Sequence, residues 1–501
     1  MFGGTKNEPD IPIQASPYDH TATVEDQSNP FLVKKQPTRC RDPVFAVLFI
    51  ANVAAMIGVF IKYGTNPLNN VEAEQDGDDG QIELGEEGII YTAATAAGIS
   101  AAFSAVMMQV LMCIPGFLIK FALLFNVALA GLGMAFSFYS GSMVGGIISA
   151  IFFALFCCYA YMVWSRIPFA TANLKTACAA LRANCGVTFF AYIFAALAVA
   201  WSILWSLAVA GVQDTGILIK CTEVQDSYGY TRDSCSINYG IFFVLFVSFF
   251  FTHQVLQNSV HTTVAGVVGS WWFKPEQNGF CGSAVFGSFF RTMTTSLGSV
   301  CFGSLLVAII QATRQILEMA RRNEDVGPFL ACCVDCLLGC LESLLEYFNK
   351  WAFVYVGVYG YGYCEAGKSV IQLFKDRGWE AVIADDLVGM ALFMTSLVVG
   401  LVMAGVGVLM VDQTTWWDVF IAAFDAQSEE ANGKQAAMIF AGVLAFIIGL
   451  VIASILMSTI ASAVNASIVL FADAPAEFEC HYPELSQEMR TAYNVAYPGC
   501  M

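Results

Sequence analysis

The stretch from Trp351 to Met410 constrains this chain more than any other. Two apolar runs, WAFVYVGVYGYGYCEAGKSVIQLF and LVGMALFMTSLVVGLVMAGVGVLM, flank the charged connector KDRGWEAVIADD. A bilayer's hydrocarbon core is about 30 Å thick and a helix rises about 1.5 Å per residue, so about 20 apolar residues suffice to cross it. Both runs are long enough. The first also carries a lone carboxylate, Glu365, which at mid-membrane depth is a functional candidate.

Composition extends this reading to the whole chain. Hydrophobic residues make up 57% and charged residues 13%, and mean hydropathy is +0.64, against about 25% charge in a soluble domain. The expected fold is all-α: a polytopic transmembrane helical bundle of about ten spans. They are placed near 44–63, 93–113, 116–139, 143–164, 186–211, 238–260, 288–311, 350–372, 387–411 and 437–471. Residues 1–43 read as a disordered cytosolic tail with no cleavable signal peptide, 44–472 as the membrane domain and 473–501 as a second cytosolic tail. Segment 312–349 resists placement: parity puts it outside, yet it opens with Arg314, Arg321 and Arg322. Either the seventh helix projects beyond the bilayer or 327–346 dips into or crosses it.

Orientation follows the distribution of charge. Lys34, Lys35, Arg39 and Arg41 precede the first span and an acidic loop, 64–92, follows it, so the N-terminus is expected in the cytosol. With ten spans the C-terminus joins it. The net charge of −17 is concentrated in loops, and no basic stripe with interleaved aromatics exists, which argues against nucleic acid. Membrane lipids are the surroundings, and nothing in the sequence demands a cofactor. Glycines at Gly141-x-x-x-Gly145 and from Gly400 to Gly407 read as close helix packing.

Five ordered segments carry a resemblance: SVHTTVAGVVGSWWF (259–273), GSVCFGSLLVAIIQATRQILE (298–318), CLESLLEYFNKWAFVYVGVYG (340–360), YGYGYCEAGKSVIQLFKDRGWEAVIADDLVG (359–389) and AEFECHYPEL (476–485). In type and order they resemble the choline transporter-like family of solute carriers, over roughly residues 185–490. The resemblance implies a multipass protein associated with choline and related amino-alcohols.

A quaternary ammonium makes no conventional hydrogen bonds and is held against aromatic faces, each worth about 0.5–2 kcal/mol. Candidates inside the spans are Trp201 and Trp205, Phe250 in the run 249–251, and Tyr355, Tyr359 and Tyr361, with Glu365 as counter-charge. Aromatics are equally ordinary lipid-facing and interfacial residues, and Lys368 could neutralise Glu365 one helical turn away. His253 and His261, with Gln254, Gln257 and Asn258 between them, give the sixth span a polar side that either couples transport to protons or binds helices together. Asp385 and Asp386 suit a helix N-terminal cap or a cytosolic gate. Cys221 and Cys235 share a polar loop and are the candidate disulfide. Cys332, Cys336 and Cys340 spread along a helix at four-residue spacing, which does not converge on a metal, so no metal site is expected.

The leading expectation is a plasma-membrane carrier for choline-like cations, facilitative or weakly proton-coupled. A membrane scaffold or trafficking protein is the alternative. A lipid-metabolism enzyme fits less well: four histidines are too few for a di-iron box, and no G-x-S-x-G occurs.

Overall fold

Apolar side chains are at home in hydrocarbon, but backbone N–H and C=O groups must pair within the segment, and a helix satisfies them locally. The computed structural model is accordingly a helical bundle. It describes residues 39–64, 86–213, 215–225, 231–280, 282–323, 327–377, 380–427 and 433–497, all within the unit Pro37–Met501. Residues 1–38 of the expected N-terminal tail and most of the acidic loop lie outside the described residues.

The chain begins with α1 (Pro43–Val59), continued by a wider π turn over Phe60–Gly64, then α2 (Glu86–Cys113), α3 (Pro115–Tyr139) and α4 (Met143–Val163). α5 (Ile167–Ala183) and α6 (Gly186–Gln213) lead to a hairpin of β1 (Ile219–Gln225) and β2 (Thr231–Ile237). α7 (Tyr239–Phe273), α8 (Ser283–Met293), α9 (Leu297–Arg322), α10 (Pro328–Tyr359) and α11 (Tyr363–Arg377) follow. The order closes with α12 (Glu380–Gln413), α13 (Asp418–Gln427), α14 (Gly433–Asp473), α15 (Pro475–His481) and α16 (Pro483–Ala496). Prolines occupy the first helical position of α1, α3, α10, α15 and α16, where the missing N–H costs nothing. Asn238 caps α7 by accepting from the Ile241 N–H at 3.3 Å.

Among the described residues, nine helical stretches are long and apolar enough to cross a membrane. They include α1 to α4, α6, α7, α9, α12 and α14. α10, with 32 residues, is not among them. It runs antiparallel to α9: toward one end Arg314 Nε lies 2.9 Å from Asp335 Oδ1 and its guanidinium also engages Glu342, while toward the other Asn349 Nδ2 donates to Gly303 O at 2.9 Å.

This corrects the eighth span, expected at 350–372. The helix there is Pro328–Tyr359, and it stops at Gly360, whose φ of 69° is left-handed and whose N–H donates to Val356 O at 3.0 Å. The sequence run continues apolar past this point, but the backbone does not continue as a helix until Tyr363. The awkward stretch 312–349 is therefore the paired turns of α9 and α10. Arg314 pairs with Asp335 and Glu342 across the two helices, and Arg321 and Arg322 pair with Glu318 within α9.

Asp42, just before α1, touches both Ser299 at the start of α9 and Tyr363 at the start of α11. The start of α1, the start of α9 and the α10–α11 break thus share one face of the bundle, the N-terminal face. The expected connector 165–185 is α5, which buries Ile167, Leu174 and Leu181 in the main core. Residues 474–497 are likewise folded. Phe478 stacks on Trp272 and Tyr482 on Trp271, each pair at 4.0 Å, and Tyr493 meets Phe169 edge-on at 5.4 Å.

Two small-residue readings separate. In α12, a Cβ on Gly407 would lie 2.5 Å from Ala441 O of α14, so the glycine permits close backbone approach. Gly141 instead sits in the α3–α4 turn with φ 79°, so Gly141-x-x-x-Gly145 is not a helix face. The hairpin is antiparallel, with Cys221 directly opposite Cys235 in its register.

Candidate functional site

A cavity of about 480 Å³ lies between α6, α7, α10 and α14. α7 supplies the polar side recognised in the sequence: His253, Gln254, Gln257, Asn258 and His261 all line it. Their spacing places them on one stripe of a helix, and α7 runs through the bundle with that stripe turned inward. The stripe is knitted to α9, since Asn258 Nδ2 stands 3.0 Å from Ser304 Oγ and Gln254 Nε2 stands 3.4 Å from Gln311 Oε1.

The two histidines differ in their ties. His253 Nε2 lies 3.0 Å from Ser202 Oγ, and its ring packs on Phe249 at 4.6 Å. His261 is held at both nitrogens, Nε2 at 2.7 Å from Lys350 O and Nδ1 at 2.8 Å from Ser462 Oγ. The Ser462 hydroxyl has a second acceptor, Ser458 O, at 2.9 Å.

α10 contributes Glu346, Asn349 and Lys350 to the wall. Glu342 is neutralised by Arg314, whereas Glu346 meets amides: Gln311 Nε2 at 3.5 Å and the Gln254 side chain. Glu346 remains exposed, so its carboxylate is open to a ligand. Lys350 Nζ rests 5.1 and 5.4 Å from the ring centroids of Tyr347 and Trp351, which draws its charge onto its own helix. From α14, Asn465 is 2% exposed and its Oδ1 has no hydrogen-bond partner among the described residues. A buried acceptor left unmet is costly, and a ligand hydroxyl or a water would satisfy it.

The other residues singled out in the sequence lie elsewhere. Tyr355, Tyr359 and Tyr361 stack on one another with centroids 5.6–6.2 Å apart, beside Asp473 at the end of α14. Rings this close leave no room for a cation between them. Glu365 falls in the first turn of α11, 51% exposed, 3.9 Å from Arg41 and on the N-terminal face rather than in mid-span. The helix break at Gly360 sets it beyond α10. Trp201 and Trp205 pack with Met56 of α1, and the Trp205 indole donates to Leu245 O at 2.9 Å. Phe250 packs with Phe45, Phe49 and Phe251. Asp386 lies past the first turn of α12 and accepts from the Tyr159 hydroxyl; Asp385 shares that helix, its side chain outside the described residues.

Among the described residues no group of three or more His, Cys, Asp or Glu side chains is placed to hold a metal ion. Cys332, Cys333, Cys336 and Cys340 are all exposed along α10. Glu346, Asn349 and Asn465 are the wall residues that sequence reading missed. The available signal was the spacing of Glu342, Glu346 and Lys350, three charges on one face of a helix.

A family profile described as "Plasma-membrane choline transporter" matches residues 147–476. Protein PNS1 of Gibberella zeae is 33% identical over 356 residues, 70% of this chain and 62% of that protein's length. Protein PNS1 of Eremothecium gossypii is 27% identical over 467 residues, 90% of this chain and 80% of the relative. A CTL-like protein of Dictyostelium discoideum is 31% identical over 279 residues, 55% of this chain and 47% of its own length. The match takes in α5 to α14 and with them every wall of the cavity, and the chain belongs to the choline transporter-like family.

Proposed function

We propose that the protein is a plasma-membrane carrier for small amino-alcohol cations of the choline type, and that the cavity between α6, α7, α10 and α14 is where the cation rests. The observation that carries this reading is that one cavity is lined both by an accessible carboxylate, from α10, and by an unmet acceptor, from α14. Glu346 offers negative charge to the ammonium, and Asn465 Oδ1 offers the acceptor that the alcohol's hydroxyl needs. Phe194 adds one aromatic face for the methyl groups.

An inside-negative potential draws in a monovalent cation with about 2.3 kcal/mol per 100 mV, which sustains roughly 40-fold accumulation without a coupling ion. Both termini are assigned to the cytosolic side, because Arg39 and Arg41 flank the first span on the N-terminal face. His253 is the candidate for weak proton coupling: it lines the cavity and has one tie, to Ser202, where His261 has two.

The test is uptake of labelled choline into vesicles holding the purified protein and an inside-negative diffusion potential. Saturable uptake that follows the potential is expected. Folded protein that takes up neither choline nor ethanolamine would overturn the proposal.

A further inference from the structure

The segment before α1 is tied to the cavity wall through two side chains. Arg41 N donates to Thr295 O at 2.9 Å. Asp42 Oδ2 then accepts twice, from Ser299 Oγ at 2.8 Å and from the backbone N–H of Tyr363 at 2.9 Å. To do so Asp42 takes a left-handed conformation, φ 49° and ψ 45°, the only non-glycine residue with positive φ among the described residues. Such a conformation is costly for a side-chain-bearing residue and persists where contacts over-determine it. Gly298 makes room, since a Cβ there would lie 2.2 Å from Asp42 O.

Tyr363 carries the connection inward. Its ring lies against Phe302 at 4.8 Å and Phe353 at 6.2 Å. It passes directly over Gly303, where a Cβ would come within 2.5 Å of Tyr363 Cε2. The Tyr363 hydroxyl donates to Asn349 Oδ1 at 2.6 Å, and Asn349 Nδ2 donates to Gly303 O at 2.9 Å. Asn349 is 3% exposed and lines the cavity.

We propose that Asp42 and Tyr363 are positioning residues that fix Asn349 in the cavity wall, so that the segment preceding α1 sets the cavity's affinity for its cation. Asp42 holds the first turn of α11, that turn aims Tyr363, and Tyr363 holds the Asn349 amide. Removing either link leaves the Asn349 amide held only by its donation to Gly303 O. The transport arm of the test rests on the carrier reading above; the stability arm does not.

Two variants separate the links without disturbing the backbone. Asp42→Gly removes the carboxylate while tolerating the left-handed φ, and Tyr363→Phe removes only the hydroxyl. In choline uptake each should raise KM about fivefold to tenfold, the scale of one lost hydrogen bond, with Vmax within about twofold. Because the links act in series, the double variant should be no worse than the poorer single one. An unchanged KM, or a loss confined to Vmax, overturns the proposal. The stability arm compares thermal unfolding of Asp42→Gly, Asn349→Ala and their combination. Series action predicts a combined loss smaller than the sum of the two, and strict additivity overturns the proposal whether or not choline is the substrate.

Discussion

His261 Nδ1 and Ser462 Oγ meet at 2.8 Å, and this contact joins α7 to α14 while the other ring nitrogen joins α7 to α10. The Lys350 carbonyl can only accept, so Nε2 carries the proton. A neutral ring then leaves Nδ1 as an acceptor for the Ser462 hydroxyl. Replacing Ser462 by alanine deprives that nitrogen of its donor and should lower unfolding stability by about 1–3 kcal/mol. Denaturant unfolding in detergent measures it, and a variant as stable as the parent would show that the hydroxyl does not hold the ring.

His253 stands apart because one ring nitrogen remains for protons in the cavity. Glutamine keeps a polar group there but cannot titrate. Under an imposed pH gradient, His253→Gln should lose whatever stimulation the parent shows, while uptake driven by membrane potential stays within about twofold. Persistent stimulation by protons would remove His253 from the mechanism.

Glu346 and Glu365 should respond in opposite ways to neutralisation. Glu346→Gln removes the carboxylate of the cavity wall and should weaken choline affinity by roughly tenfold to a hundredfold, or about 1.4–2.8 kcal/mol. Glu365 makes a 3.9 Å surface pair with Arg41, and such exposed pairs are worth about 0–1 kcal/mol. Glu365→Gln should therefore leave affinity within about threefold. Competition binding on both variants decides the matter, and the reverse ranking would move the cation site to the N-terminal face.

Gly357 of α10 lies against α7 so closely that a Cβ would stand 2.3 Å from Thr262 O. Gly357→Ala forces the two helices apart and should cost about 1–3 kcal/mol. Gly367 of α11 has nothing within 4 Å of the same position, and Gly367→Ala should be neutral or slightly stabilising. Thermal unfolding of the two variants side by side tests the crossing. Equal midpoints would mean that Gly357 is not required for the α7–α10 approach.

The hairpin register sets Cys221 opposite Cys235, and directly opposed strand residues lie at the Cα separation a disulfide needs. In an oxidising compartment, alkylation without reductant should leave these two thiols unmodified, and reduction should expose both. Mass spectrometry of the 215–238 peptides reads the result. Full alkylation without reductant would refute the bridge.

What the sequence made legible followed from transfer to lipid. Nine runs announced themselves because nothing in them needs water, and the inward stripe from His253 to His261 was visible as polar residues at helical spacing. α10 was misplaced because Asp335, Glu342, Glu346 and Lys350 make it look like a loop when read alone. The groups that make those charges tolerable, Arg314 and Gln311 on α9 and Gln254 on α7, are distant in sequence and adjacent only in the fold. The tyrosines after Trp351 drew attention for their chemistry, but the glycines beside them governed their position. Gly360 ends the helix, and Tyr359 and Tyr361 fall on either side of the break. Asn465 gave no signal at all, since a single amide in an apolar run becomes meaningful only when its acceptor is seen to lack a donor.

The length of α14 limits how much of it lipid can cover. Its 41 residues extend about 60 Å, while a 30 Å hydrocarbon slab occupies only about 40 Å of helix even at a steep 40° tilt. In the final turns Met457 to Phe471 are almost continuously buried, with Phe169 of α5 and Tyr493 of α16 each 6.2 Å from Phe471. About 20 Å of the helix therefore takes its partners from protein and water rather than from hydrocarbon.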